Sequence, residues 1–161
     1  MISAATILFY DVVVAVHVMS IVIAFGVTFV YPVILPWMMN VHPEALATVH
    51  EMQERIGRFV IMPFGTLALL TGIYLASDRD LFGEAWVIIP LVILVLLLGL
   101  GGAFFTPREK ALAAFAERDL AAGGTLSDEY HANAKVVGIV GALSSLLVLI
   151  AIFSMVAKPF A

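Results

Sequence analysis

Three groups of residues in this chain have types and spacings that could do chemistry. The first is His17, the only Asp, Glu, Lys, Arg or His between Asp11 and His42, set in an uncharged run over 12–37. A neutral imidazole in apolar surroundings can bond to a neighbouring helix, ligate haem iron or pass a proton. The relay is the weakest of the three, because the other long apolar runs hold no Asp, Glu or His to continue it. The second group is His50, Glu54 and Arg58, which four-residue spacing puts on one helix face. A His/Glu pair gives too few ligands for a metal site, and the face reads as solvated and salt-bridged. The third group holds soft or basic side chains: Met155 and Lys158 near the end, and Met38-Met39 beside His42, a hint of copper ligands.

These residues must be positioned by helices in lipid. The chain has 161 residues, 63% hydrophobic and 12% charged, with a mean hydropathy of +1.10. Soluble domains run at ~45–50% apolar and ~25% charged, so lipid is the solvent. Net charge is −4, which gives no basis for binding nucleic acid. There are no cysteines, so disulfides, thiolate metal sites and cysteine nucleophiles are excluded. Phosphate-binding glycine loops, nucleophile elbows and HExxH are absent from the sequence, and with them the hydrolase and nucleotide-dependent readings. No basic segment precedes the first apolar run, which is longer than a signal-peptide core, so it reads as a retained helix.

Four segments are apolar over roughly 18 or more residues, enough to span a bilayer. The expected fold is all-α: a four-helix transmembrane bundle with short amphipathic cytoplasmic helical extensions, forming one integral membrane domain over 1–161. The helices are expected at about 4–37, 43–77, 84–105 and 127–157, with an amphipathic helix over 107–122. Pro32 and Pro36 should kink or end the first. Thr106-Pro107-Arg108-Glu109 reads as a capping box that starts the amphipathic helix, and Ser127 as the cap of the last.

Six basic residues (Arg55, Arg58, Arg108, Lys110, Arg118, Lys135) flank two connections, and two (Arg79, Lys158) lie on the other side. The positive-inside rule therefore puts both termini outside the cytoplasm. Small residues mark packing faces in lipid: Gly65, Ala68, Gly72 and Ala76 on helix two, and Gly138, Gly141 and Ser145 on helix four. On helix one, Tyr10, His17, Ala24 and Tyr31 repeat every seven residues, beside Ser20 and Thr28, so His17 faces the bundle.

If His17 holds iron, His50 is not its partner. His50 lies nine residues before Phe59, roughly 13 Å beyond the membrane at 1.5 Å per residue. The two histidines are then on the order of 25–35 Å apart across a ~30 Å core, far more than one haem bridges. Met155 is the outer-half candidate for a second ligand, with Lys158 behind it, and Arg58 is placed to hold an anionic propionate.

Several ordered features carry a family resemblance: His17 followed by Gly26, Arg55-Ile56-Gly57-Arg58 before Pro63, Leu70-Thr71-Gly72-Ile73-Tyr74-Leu75, and the tail Met155-Val156-Ala157-Lys158-Pro159-Phe160. The chain resembles the bacterial four-helix predicted integral membrane proteins of unknown function. It is similar, more distantly, to the HemJ-like protoporphyrinogen oxidases and the copper-resistance D membrane domain. That resemblance implies haem b, with His17 matching the helix-one ligand, Arg58 the basic residue before helix two, and Lys158 the terminal Lys-Pro. Two positions depart from it: no basic residue occurs over 33–37, and no second histidine lies in the membrane.

The expectation is a multi-pass protein of the bacterial inner membrane, in contact with the bilayer and open to homo-oligomer or complex formation. The sharpest reading is a b-type haem or porphyrin-binding redox protein with His17 as the metal ligand. Competing with it are a non-enzymatic membrane subunit that docks partner proteins and, third, a copper-handling protein.

Overall fold

A computed structural model describes residues 9–121 and 123–159. The described residues form four long helices and no strands: α1 (Phe9–Val41), α2 (Pro43–Asp78), α3 (Ala85–Ala121) and α4 (Asp128–Ala157). Each is long and apolar enough to cross a membrane. The expected helix start at residue 4, Ala122 at the end of the amphipathic helix, and Phe160 of the tail motif lie outside the described residues.

Helix α1 changes character midway. Gly26–Phe29 tightens into a 3₁₀ turn, and Pro32 follows in the first turn of the second half. Proline offers no N–H and its ring crowds the carbonyl four residues back, so the tight turn lets the chain bend there. The prolines therefore bend α1 without ending it, and it runs on to Val41.

Helices α2 and α3 each join a polar half to an apolar half through one π turn, Gly57–Ile61 and Gly101–Phe105. The two turns pack against each other. The second corrects an expectation: no new helix begins at Thr106, because α3 is continuous to Ala121. The Thr106 N–H donates to the Gly101 carbonyl, and its hydroxyl donates to the same carbonyl at 2.9 Å. With the bonding lengthened by one residue, Pro107 has no N–H bond to lose and is absorbed within the helix. Thr106 thus points backward instead of capping, and Glu109 is released for another partner.

The expected cap at Ser127 does form, its hydroxyl oxygen accepting the Tyr130 N–H at 3.3 Å. Asp119 accepts the Ser127 N–H at 2.9 Å, and Arg118 reaches Asp119, Ser127 and Glu129. These contacts close the α3–α4 connection.

The first half of α1 packs along the second half of α2, the polar halves of α2 and α3 pack on each other, and α4 lies against α3. Close approach of α1 and α2 depends on small residues, as expected for helices in lipid: Ala24 and Ala68 are completely buried. A Cβ at Gly72 would stand 2.9 Å from His17 Cε1, and one at Gly65 would stand 2.8 Å from Leu98 Cδ2. Outward-facing Val18, Val22, Leu70, Val92, Leu146 and Phe153 are exposed, the belt that lipid covers. The stripe on α4 behaves differently. A Cβ at Gly138 or Gly141 would meet nothing within 4 Å, so this stripe does not pack against a helix; it borders empty space.

Candidate functional site

Two cavities lie in the bundle, separated by a layer of Phe25, Leu97 and Val148 that lines both. The smaller, about 60 Å³, is bordered by His17 and Met155 among apolar neighbours. The larger, about 600 Å³, lies between the second half of α1, the π-turn regions of α2 and α3, and the Tyr130–Val148 stretch of α4. Its size falls within the ~300–1,000 Å³ range of small-molecule sites.

His17 is a buried histidine bonded to a neighbouring helix. Its Nδ1–H donates to the Ala68 carbonyl at 2.8 Å, with Thr71 Oγ1 at 3.1 Å. A carbonyl can only accept, so the proton sits on Nδ1 and Nε2 carries the lone pair. That tautomer suits a metal ligand. The space does not: the adjoining cavity is about 60 Å³, and a macrocycle of ligand size needs several times that. The structure brings His17 and Met155 to one cleft, but a haem does not fit there with the helices packed as they are.

The remaining expected residues do not join that cleft. Arg58 is exposed, its guanidinium over the Phe59 ring at 5.6 Å. Eight residues on, an α-helix has drifted ~80° from its starting face, and Arg58 borders neither cavity, whereas His50 and Glu54 border the larger. Lys158 ends α4 with its ammonium 4.6 Å from the centre of the Trp86 ring. Met38 and Met39 pack against the apolar cluster of Leu46 and Leu112, and His42 pairs with Glu44 at 3.1 Å, so the three do not converge. Among the described residues no three His, Cys, Asp or Glu side chains gather as a metal site.

The larger cavity holds what sequence reading missed. His50 is 2% exposed, which overturns the solvated face expected for it. Its Nδ1 bonds to Glu109 Oε2 at 2.7 Å and its Nε2 to the Tyr130 hydroxyl at 2.8 Å. The three residues come from three helices, all are buried, and all border the cavity. Carboxylate, imidazole and phenol in line form a hydrogen-bonded chain that can hold or pass a proton. Glu54, on the same helix one turn later, forms an ion pair with Lys110 at 3.6 Å, too long for a hydrogen bond.

Around this chamber polar atoms lack partners. Tyr31 Oη, Gln53 Oε1, Glu54 Oε1 and Ser144 Oγ are buried without a hydrogen-bond partner, and all four residues line the cavity; the fifth such atom among the described residues, Ser154 Oγ, lies elsewhere. Glu54 Oε1 keeps its ion pair with Lys110; the other three have no partner, at roughly 1–3 kcal/mol each, and such a concentration around one cavity points to a site rather than to stability. The π turns agree, since such turns recur at functional sites, and Gly57 and Gly101, their first residues, both line the chamber.

The architecture defines an integral membrane protein with four helices long and apolar enough to span, and a largely apolar chamber with a few polar groups inside the bundle. The chain belongs to the family described as "Predicted integral membrane protein (DUF2269)", whose model matches residues 11–159. No curated protein and no solved structure matches the chain.

Proposed function

We propose that this protein binds an amphiphilic small molecule in the chamber between α1, α2, α3 and α4. An apolar body would rest on Phe25, Leu35, Leu97 and Val148, and a polar end would meet Tyr31, Gln53, Glu54 and Ser144. The observation that carries this reading is the gathering of unpartnered buried polar atoms around one cavity of ligand size. A scaffold that only docks partners has no use for such a wall, which weakens the competing reading of a non-enzymatic subunit.

The excess of Lys and Arg beside the polar halves of α2 and α3 supports a cytoplasmic position for the chamber end of the bundle. With the distant family resemblance, it also supports a place in the bacterial inner membrane. The porphyrin reading moves with the chamber. This volume is nearer the size of a tetrapyrrole than the cleft at His17. His50 is not available as an iron ligand here, because both its nitrogens are already bonded.

The test is to extract the protein into lipid nanodiscs and analyse what it retains, by absorption and by mass spectrometry of an organic extract. The comparison is Gly141→Leu, which pushes a branched side chain into the chamber from a position with open space for it. About one amphiphile per protein in the wild type, lost in Gly141→Leu, is the expected result. A Soret band that survives Gly141→Leu and disappears in His17→Ala would overturn this reading and restore iron at His17. Equal retention by both proteins with no Soret band would refute the chamber as a ligand site.

A further inference from the structure

The chamber wall carries a group that reverses its hydrogen-bonding sense with one proton. With Glu109 ionised and His50 neutral, Nδ1–H donates to Glu109, Tyr130 O–H donates to Nε2, and the phenol oxygen can only accept from the chamber. Add a proton to His50 and Nε2–H donates to the Tyr130 oxygen. The phenol hydrogen is then free for another acceptor, and Tyr130, itself fully buried, is one of the residues that line the chamber. The distances of 2.7 and 2.8 Å suit either state.

The rest of the wall is matched to an uncharged partner. Its other titratable groups are Tyr31 from α1, Glu54 from α2, and His131 and Lys135 from α4. Glu54 is paired from outside by Lys110, and the other charged residues of the wall, Glu109 and Lys135, are opposite in sign, so the charges balance when the histidines are neutral. Tyr31 and Ser144 can donate or accept, and Gln53 Oε1 and Glu54 Oε1 only accept.

A neutral ring compound in a membrane whose own oxygens change from acceptors to donors is a quinone. Its two carbonyls accept when oxidised, and its two hydroxyls donate when reduced. We propose that the chamber is a seat for a lipid-soluble quinone and its quinol, with Tyr130 meeting a ring oxygen and His50–Glu109 holding the proton that sets the direction of that bond. The proposal rests on the chamber being a ligand site. It concerns binding of both forms and the place of one proton, and it routes no electrons through this chain. The oxidised ring pairs with the protonated chain of residues and the reduced ring with the unprotonated one.

The probe is decylubiquinone, as quinone and as quinol, added to protein in quinone-free synthetic lipid nanodiscs, with affinity measured by calorimetry across a pH series. As rising pH removes the proton held by His50–Glu109, quinone affinity is expected to fall, by up to about tenfold per pH unit for a one-proton requirement, while quinol affinity stays level over the same range. Tyr130→Phe should remove the difference between the two profiles, and so should Glu109→Gln, which keeps the shape of that side chain; Gly141→Leu should abolish binding of both forms. Parallel profiles for the two forms in the wild type, or a Tyr130→Phe protein that keeps the difference, would overturn the proton role while leaving the chamber as a binding site. Should neither form bind while another amphiphile is retained and lost in Gly141→Leu, the quinone assignment is wrong and the chamber stands. Loss of neither quinone binding nor any other ligand in Gly141→Leu would sink both.

Discussion

The same substitution, glycine to alanine, should have opposite effects at Gly72 and Gly141. At Gly72 the new Cβ would lie 2.9 Å from Cε1 and 3.4 Å from Nδ1 of His17, closer than carbon atoms pack. The imidazole cannot retreat freely, because its Nδ1–H is bonded to the Ala68 carbonyl at 2.8 Å. Overpacking of this kind costs about 1–3 kcal/mol, and weakening a buried hydrogen bond adds ~1 kcal/mol. Replacing glycine in a helix returns ~1 kcal/mol, so Gly72→Ala should destabilise the protein by about 1–3 kcal/mol net. At Gly141 nothing lies within 4 Å of the new Cβ, and only the helix term operates, a gain of ~1 kcal/mol. The two variants should therefore differ by about 2–4 kcal/mol. Reversible unfolding in mixed detergent micelles, monitored by circular dichroism against denaturing detergent fraction, reads this difference directly. If Gly72→Ala proves as stable as Gly141→Ala, the close approach of α1 to α2 over His17 is wrong.

Removing His50 should be severe. His50→Ala leaves Glu109 buried without its 2.7 Å partner and Tyr130 without its acceptor; breaking a buried pair in this way costs about 3–5 kcal/mol, to be read in the same unfolding assay against Glu109→Gln and His50→Gln, which should lose less. Phe25→Ala removes the largest side chain of the layer between the two cavities. It should cost about 3–5 kcal/mol and let a water-soluble thiol reagent reach a cysteine placed at Ile21 from the chamber side; an unchanged labelling rate would show that Phe25 is not the barrier. Lys110→Ala should change stability by no more than ~1 kcal/mol, because its partner distance to Glu54 is 3.6 Å and the lysine is mostly exposed. A larger loss on unfolding would mean that Glu54 depends on it.

The membrane fold was legible because its signals are long and redundant. Four apolar runs, a small-residue face on α2 and a serine cap before α4 all correspond to structure. The breaks were harder to read. Pro32 and Pro36 left open whether the first helix kinks or ends there, and Thr106-Pro107 looked like a start. A 3₁₀ turn and a π turn accommodate both within continuous helices, and neither leaves a local sequence signature beyond a nearby glycine. His17 stood out because it is isolated in an apolar run. His50 did not, because its neighbours Glu51, Glu54 and Arg55 make its helix look solvated. Its partners are 59 and 80 residues away, a separation at which one sequence carries no pairing signal. The one local hint was Glu109. As the fourth residue of an apparent capping box, it had a ready assignment that hid its availability.

Position along the helices explains why the chamber forms at this level of the bundle. Toward the first half of α1, the helices touch through alanine and glycine, and the gap is filled by His17 and its hydrogen bond. Beyond Gly26 the 3₁₀ turn and prolines redirect α1. The π turns of α2 and α3 fall at the matching depth, pressed on each other, and each inserts an extra residue into the helical repeat. On α4 the facing positions are Gly138 and Gly141, which supply no side chain to close the gap. Larger apolar residues at these two positions would have narrowed the space. Instead the wall keeps glycines, orphaned polar atoms and a buried carboxylate–histidine–tyrosine chain. Such a set is consistent with one purpose, an occupant that brings its own apolar surface and its own hydrogen bonds. That is why Gly141→Leu, a substitution expected to be tolerated by the fold, is the variant whose loss of ligand discriminates most sharply between a chamber that works and a gap that packing left behind.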